Sequence, residues 1–219
     1  MNTRSKGMAA IAFAFALSFL MFLGSGAAEA QTKYRNPLNG SPPLSAWMDH
    51  WHPPLSTNTN LRYDGTIIPS TSSFYYGNNP RHRGTDFAVS SGTAVYAAAP
   101  GTAYICHDGD PCSSGFGNWV AIHHSDGWYS IYAHLSSISV TLNQSVSCGT
   151  QVGLSGNTGT SRGAHLHFEL RNGLSASDTS RDPFAGSESQ ATEYWFSTTN
   201  ITDPFDGVGT VHYPTTTCQ

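Results

Sequence analysis

Two short clusters of histidine and carboxylate residues stand out in this chain of 219 residues. One is HRGTD at 82–86, and the other is HLHFE at 165–169. Imidazole nitrogens and carboxylate oxygens are ligands of catalytic zinc, which keeps one position open for water or substrate. One imidazole and one carboxylate from the first cluster, with an imidazole from elsewhere, would complete such a set. With 10 histidines in the chain such patterns also arise by chance, so neither cluster is decisive without the elements around it.

The second cluster lies in a run that alternates polar and apolar residues from His165 to Leu170. Residues two apart share one face of a β-strand. We therefore predict a strand with His165, His167 and Glu169 on one face and its apolar side chains packed into the core. One histidine then ligates a metal while the other stands over the water at the open position. Glu169 is expected either to orient a neighbouring histidine or to occupy a simple solvated position.

The first cluster leads into the β-type run Phe87-Ala88-Val89, so a helix is not expected there. Gly84 is predicted to let the chain turn so that the side chains of His82 and Asp86 meet at one point. The alternative is a turn with an exposed histidine and a capping aspartate. His134 ends another β-type run, where a structural role is the alternative to a catalytic one.

Short β-type runs separated by glycine must position these side chains within residues 81–171, the expected core domain. These runs are 94–97, 101–105, 119–123 and 128–132. Such spacing predicts an antiparallel all-β domain. Residues 31–80, rich in Pro, Ser, Asn and Tyr, are predicted to form an irregular N-terminal arm wrapped on the domain, or a removable pro-segment. Residues 172–219 are expected to form a loop-rich extension, packed on the core, with little regular structure.

Residues 1–30 have the pattern of a secretory signal peptide. A basic start precedes the apolar run Met8–Leu23 and the motif Ala28-Glu29-Ala30, which predicts cleavage after Ala30. A membrane anchor is disfavoured because the run is shorter than the ~20 residues that span a bilayer. We expect a secreted or extracellular protein, periplasmic in transit or as the alternative location, with no stable membrane insertion after cleavage.

Charge and cysteine content suit an exported protein that does not bind nucleic acid. The formal net charge is −4, whereas phosphate binding needs clustered lysine and arginine. Cys106 and Cys112 flank a turn-rich segment that suits a local disulfide loop, and Cys148 with Cys218 would then tie the tail to the core. A cysteine zinc site is disfavoured because no C-x-x-C pair occurs.

Three segments, in this order, resemble the lysostaphin-type (LytM/LasA-like) zinc endopeptidases that hydrolyse peptidoglycan cross-bridges. The segments are HRGTDFAVSSGTAVYAAAPGTA at 82–103, YAHLSS at 132–137 and GTQVGLSGNTGTSRGAHLHFELR at 149–171. The resemblance implies Zn²⁺ held by His82, Asp86 and His167, with His134 and His165 flanking the water at the open position. It also implies that residues 81–171 are a zinc peptidase core. This core is expected to be a compact antiparallel β-sheet, a lysostaphin-like duplicated hybrid motif, with long loops around a narrow groove.

The expected function is that of a secreted zinc metalloendopeptidase, a monomer, acting on peptidoglycan cross-bridge peptides or Gly-rich peptides. The Gly-rich loop 153–163 is expected to form one wall of the groove, with Tyr132, Trp119 and Tyr75 as candidates for others. Which catalytic histidine acts as base stays open. The alternatives are a non-catalytic activator of a cell-wall amidase and a peptidase for Gly-rich host or prey proteins. A carrier-like β module is disfavoured because Lys33 is the only lysine after residue 30.

Overall fold

The computed structural model describes residues 31–50, 59–69, 82–175, 177–187, 193–203 and 209–218. The predicted signal peptide and Tyr75 lie outside the described residues. Within these ranges the chain forms strands and loops but no helix, which confirms the all-β prediction, and no helix that could span a bilayer is found there. The strands are β1 (Leu44–Ala46), β2 (Thr59–Leu61), β3 (Ile67–Pro69), β4 (Thr85–Phe87), β5 (Ala94–Tyr96), β6 (Gly101–Cys106), β7 (Asn118–His123), β8 (Tyr129–Leu135), β9 (Ser137–Ile138), β10 (Ser145–Val146), β11 (Gln151–Leu154), β12 (Leu166–Arg171), β13 (Ser180–Arg181), β14 (Thr198–Thr202) and β15 (Thr210–Pro214).

One antiparallel sheet positions the candidate residues. Its strand order is β1-β4-β12-β8-β7-β6-β10, with β13 paired beside β12, and a smaller sheet has the order β5-β11-β9. In the large sheet His167 lies opposite Asp86 on one neighbouring strand and opposite Ala133 on the other. Two side chains from distant parts of the sequence are therefore brought together by strand pairing.

The alternation along β12 has the predicted consequence on one face. Leu166, Phe168 and Leu170 are fully buried in the main hydrophobic core, and each stabilises the fold by ~1.5–3 kcal/mol relative to an exposed position. The other face is covered as well, because Glu169 is only 2% exposed. The alternative of a solvated Glu169 is therefore wrong.

The N-terminal arm is more regular than its composition predicts. Strand β1 forms the edge of the main sheet beside β4, and β2 pairs with β3 in a hairpin. Leu44 lies opposite Phe87, and Ala46 lies opposite Asp86. The prediction of an irregular arm is wrong for these strands, and for β1 the reason is that its pairing depends on a distant partner, which local composition does not report.

The C-terminal extension also has more regular structure than predicted. Strand β13 joins β12, and β14 and β15 pair along five positions. Tyr213 is fully buried and donates its hydroxyl hydrogen to the carbonyl of Pro42 at 2.6 Å. Trp195 stacks on Phe168 with ring centroids 5.9 Å apart. The arm and the extension thus pack together on the core side of the sheet.

Both disulfides join the predicted partners, Cys106–Cys112 and Cys148–Cys218, and the described residues hold no free cysteine. The second bridge closes a loop with a sequence separation of 70 residues. In the chain-entropy model such a closure stabilises the folded state by ~4 kcal/mol.

Candidate metal centre

Side-chain atoms of the three predicted ligands converge on one point. His82 Nε2 lies 3.0 Å from Asp86 Oδ1 and 3.1 Å from His167 Nδ1, and these last two atoms are 2.7 Å apart. All three residues are buried. The other cluster with potential ligands in the described part of the chain contains Cys106 and Cys112, which are consumed by their disulfide.

The hydrogen bonds made by the outer nitrogens of His82 and His167 make these residues suitable zinc ligands. His82 Nδ1 lies 2.7 Å from the carbonyl oxygen of Trp47, and His167 Nε2 lies 2.9 Å from Glu169 Oε1. Both partners accept hydrogen bonds, so each histidine donates its N–H outward and directs its other nitrogen to the centre. Zinc-ligating histidines have this outer partner. A third histidine leaves a buried nitrogen free beside the cluster. The Nε2 of His165 has no hydrogen-bond partner and lies 3.8 Å from Asp86 Oδ2.

The two carboxylates next to His167 raise the affinity of this histidine for a proton. Burial lowers the pKa of His167, but hydrogen bonds to Asp86 and Glu169 outweigh burial and raise it to about 10. Burial alone would raise the pKa of Asp86, yet the neighbouring His82 and His167 hold it well below its usual value. The hydrogen bond from His167 likewise holds the pKa of Glu169 below its usual value against the effect of burial. A metal ion binding here therefore displaces a proton.

Zinc affinity is expected to fall as the pH falls. Below its pKa of about 10, metal-free His167 carries a proton that the metal-bound ligand lacks, so each ion bound releases one proton. Displacing one proton changes the apparent association constant about tenfold per pH unit. Chelator competition between about pH 6 and about pH 9, corrected for protonation of the chelator, measures the slope. An association constant that does not vary with pH contradicts this prediction.

The two predicted catalytic histidines lie next to the cluster. The ring centroids of His134 and His165 are 4.7 Å apart, and that of His134 is 5.9 Å from His167. The Nδ1 of His134 lies 2.8 Å from the carbonyl oxygen of Thr158, and that of His165 lies 2.8 Å from the carbonyl oxygen of Gly163. Carbonyls only accept, so each Nδ1 carries the hydrogen and each Nε2 keeps a lone pair. Burial, reinforced by the nearby His167, lowers the pKa of His134 to about 4, so this imidazole is neutral at neutral pH.

His134 is held by two loops that meet beside it. Its backbone has a φ of 60°, in the left-handed region, and its N–H donates to the carbonyl of Phe116 at 2.8 Å. The two loops touch at glycines, because a Cβ on Gly159 would lie 2.3 Å from the nitrogen of Gly117. The segment that follows Cys112 and the Gly-rich loop therefore fix this histidine together.

A glycine at position 134 is expected to give a more stable fold than an alanine there. Both His134→Gly and His134→Ala remove the imidazole, but only alanine keeps a Cβ in the left-handed backbone. The glycine variant should be more stable by about 1 kcal/mol, even after its greater freedom in the unfolded chain is counted. Urea denaturation of the two variants measures the difference, and equal stability would show that the backbone relaxes on substitution.

Gly84 is required for a reason other than the predicted one. Its φ is not among the positive values found for other glycines. A Cβ at this position would lie 2.3 Å from the carbonyl oxygen of Phe168 and 2.7 Å from Glu169 Cγ. The missing side chain lets the segment that carries His82 lie directly against β12. The chain bends at Gly84 and the side chains of His82 and Asp86 meet, as predicted.

A groove with a volume of about 570 Å³ opens beside the cluster. Its lining includes Phe116, Trp119, Ile131 and, from the Gly-rich loop, residues 159–162. Trp119 and this loop thus form walls as predicted. Tyr132 does not, because it is fully buried and its hydroxyl accepts the N–H of Ala98 at 2.6 Å.

Three arginines line the groove, Arg83, Arg162 and Arg171, although the whole chain is acidic. Arg83 Nε donates to the hydroxyl of Ser180 at 3.1 Å, and Arg171 Nε lies 3.6 Å from Glu169 Oε2. Glu169 is the single acidic residue among the described residues that line the groove. Cationic side chains therefore dominate the charge of the groove wall.

Sequence reasoning missed the backbone carbonyls that orient the histidines. They belong to Trp47, Thr158 and Gly163. No signal in the sequence could have identified them, because every residue type has a carbonyl. Phe116, whose ring centroid lies 5.5 Å from that of His167, was also missed. It lies between two glycines, where no periodic pattern marks it.

Comparison with known proteins assigns this arrangement to a family. The model of peptidase family M23 matches residues 80–182, which include all five candidate residues. This segment places the chain in peptidase family M23. The finding confirms the resemblance that the three sequence segments indicated.

Relatives of this M23 domain include a protein named as an endopeptidase and a protein named as a hydrolase activator. The chain is 45% identical over 89 residues to the peptidoglycan DD-endopeptidase ShyA of Vibrio cholerae, a match covering 41% of this chain and 20% of ShyA. It is 34% identical over 131 residues to the murein hydrolase activator NlpD of Salmonella dublin, covering 60% of this chain and 29% of NlpD. The solved catalytic domain of lysostaphin from Staphylococcus simulans is 37% identical, with 47% of this chain and 76% of that chain covered and a TM-score of 0.41. The chain thus spans less than a third of the two curated relatives.

Proposed function

We propose that this M23 protein is a zinc-dependent endopeptidase that hydrolyses peptide bonds in bacterial peptidoglycan. The observation that carries the proposal is the convergence of His82, Asp86 and His167 within 3.1 Å, beside two further histidines and an open groove. The M23 family match and the similarity to a protein named as a peptidoglycan endopeptidase support the reaction and the substrate class.

In this proposal His82, Asp86 and His167 hold the zinc ion. A zinc ion bound there supplies a Lewis acid that polarises a peptide carbonyl and acidifies water. His134 and His165 handle the protons, because each commits Nδ1 to a carbonyl and leaves Nε2 as an acceptor. One Nε2 takes the proton of the attacking water, and the proton is then delivered to the leaving amine nitrogen. The fixed tautomers keep both acceptors oriented before substrate arrives.

The second candidate function is activation of a cell-wall amidase without catalysis. It is favoured by the similarity to a protein named as a murein hydrolase activator. The complete, buried set of three converging ligand atoms argues against it, because activation by surface contact alone does not require such a set.

The deciding experiment measures metal content and hydrolysis on one sample. Protein with one zinc per chain is expected to release peptides from purified peptidoglycan, to stop when a chelator removes the metal, and to recover when zinc is restored. Asp86→Asn is the matched control, since it keeps the size of the side chain but removes its charge. Zinc-loaded protein that cleaves nothing but stimulates an amidase would replace this proposal with the activator function.

We place the activity outside the cytoplasm. Two disulfides occur among the described residues, and such bonds persist in oxidising compartments. The signal peptide predicted at residues 1–30 would deliver the chain there, in the same compartment as peptidoglycan. The monomeric state stays a prediction for sedimentation analysis.

The groove is expected to favour peptides that carry free carboxylates over polyglycine. Arg83, Arg162 and Arg171 create a positive potential along its wall, which raises the local concentration of anionic substrate. Amidation of the carboxylates of a cross-linked muropeptide should lower kcat/KM about tenfold. The comparison uses the free and amidated forms of one muropeptide, and the exposed Arg162→Gln variant should narrow the difference. Equal rates on both forms, or faster cleavage of pentaglycine, would contradict the prediction.

A further inference from the structure

We propose that residues 34–49, here called the inner arm, are a permanent component of the metal centre. In this proposal the carbonyl of Trp47 is the positioning group for the ligand His82. The inner arm is then not part of a removable pro-segment. The inference rests on the metal site of the proposed function but not on its hydrolytic activity.

The inner arm holds His82 through both its side chain and its backbone. Nδ1 of His82 donates to the carbonyl of Trp47 at 2.7 Å, and the N–H of Asp49 donates to the carbonyl of His82 at 2.8 Å. The first bond fixes the tautomer that leaves Nε2 available for a metal. The second fixes the backbone from which the ring projects. Outer partners of this kind set the orientation and affinity of a metal ligand.

The inner arm also supports the second proposed ligand. Ala46 on β1 lies opposite Asp86 on β4, and the N–H of Ala88 donates to the carbonyl of Pro43 at 2.8 Å. Strand β1 is the outer neighbour of β4 in the sheet. Without it, β4 would become an open edge with unpaired backbone groups next to Asp86.

Packing anchors the inner arm to the rest of the molecule. Trp47 is 3% exposed, with its ring centroid 5.0 Å from that of Tyr63 and 4.8 Å from that of Phe184. Tyr34 forms a parallel bridge with Trp195 in the C-terminal extension. Departure of the inner arm would expose these large rings to water. A segment that is removed on activation would leave behind a surface that is stable in water. The inner arm instead contributes large side chains to the hydrophobic core.

The first test identifies the N-terminus of the metal-loaded protein. Full-length protein is expressed with export, the zinc-bound fraction is purified, and its intact mass and N-terminal sequence are determined. The expected species begins upstream of Tyr34 and carries one zinc per chain. A stable species that binds zinc and begins after Asp49 would overturn the proposal, whether or not it hydrolyses peptidoglycan.

The second test makes the Trp47 carbonyl a weaker hydrogen-bond acceptor without changing any side chain. Replacing Met48 with its α-hydroxy acid analogue converts the preceding amide to an ester, whose carbonyl is a poorer acceptor. The zinc dissociation constant should rise about tenfold, and the visible spectrum of the cobalt-substituted protein should shift.

The matched control is the same replacement at Leu142, which weakens the bond from the Gln144 N–H to the Thr141 carbonyl in an exposed loop. A general loss of stability would affect both esters alike, whereas the positioning role predicts that zinc affinity changes only in the first. Unchanged zinc affinity in the Met48 ester would overturn the positioning role of Trp47.

Discussion

His165→Ala is expected to keep zinc bound while kcat/KM falls by a factor of ~10²–10⁴. The Nε2 of His165 lies outside the converging set of three atoms, and its Nδ1 is committed to the carbonyl of Gly163. The substitution therefore removes a proton acceptor but no ligand. His134→Ala should behave in the same way, because its Nδ1 is committed to the carbonyl of Thr158. Zinc content by mass spectrometry and initial rates on one muropeptide measure the two effects separately.

The contrast between the two histidines of the HLH segment is the sharpest form of this test. His165 and His167 are two residues apart, and only His167 contributes to the convergent set. His165→Gln serves as the control for side-chain size. Loss of metal in His165→Ala, with metal retained in His167→Ala, would show that the two assigned roles are exchanged.

Alanine at any one of the three proposed ligands is expected to abolish both zinc binding and hydrolysis. His82, Asp86 and His167 each contribute one atom to a centre whose atoms lie 2.7–3.1 Å apart. Removing one leaves two donors, fewer than a catalytic zinc site uses. Calorimetric zinc titration of each variant measures the loss, and circular dichroism confirms that the fold is retained. A ligand variant that still binds zinc tightly would contradict the assignment.

Glu169→Gln is expected to weaken zinc binding without abolishing it. Glu169 Oε1 accepts the hydrogen bond from His167 Nε2 at 2.9 Å. The amide can still accept, but it no longer supplies the charge that increases the basicity of the ligand. Zinc affinity should therefore fall 10–100-fold, as it does for outer partners in general. Unchanged affinity would show that Glu169 only fills space.

The parts of the site that follow from local pattern could be predicted from the sequence. A period of two along residues 165–170 is enough to place His165, His167 and Glu169 on the face opposite the core, because strand geometry fixes which side chains share a face. It does not reveal whether that face is covered, and here Glu169 is buried. A short loop likewise made the Cys106–Cys112 pairing predictable.

The parts that depend on distant pairing could not be derived from residue types alone. The meeting of His82 with His167 depends on β4 lying beside β12, and no local signal specifies that neighbour. Family resemblance supplied the ligand set where spacing could not. The support from Trp47 lay beyond both, because it comes from a backbone carbonyl on a segment whose composition suggested no regular structure.

The Cys148–Cys218 bridge determines whether the chain stays in one piece when a protease cuts the Gly-rich loop. Exposed loop tips are the sites where proteases nick folded chains, and Arg162 and Gly163 form such a tip in the Gly-rich loop. A cut there falls between the two bridged cysteines, so both fragments would stay covalently joined. The strand that carries His167 would remain paired within the sheet. A nicked molecule therefore stays a single particle.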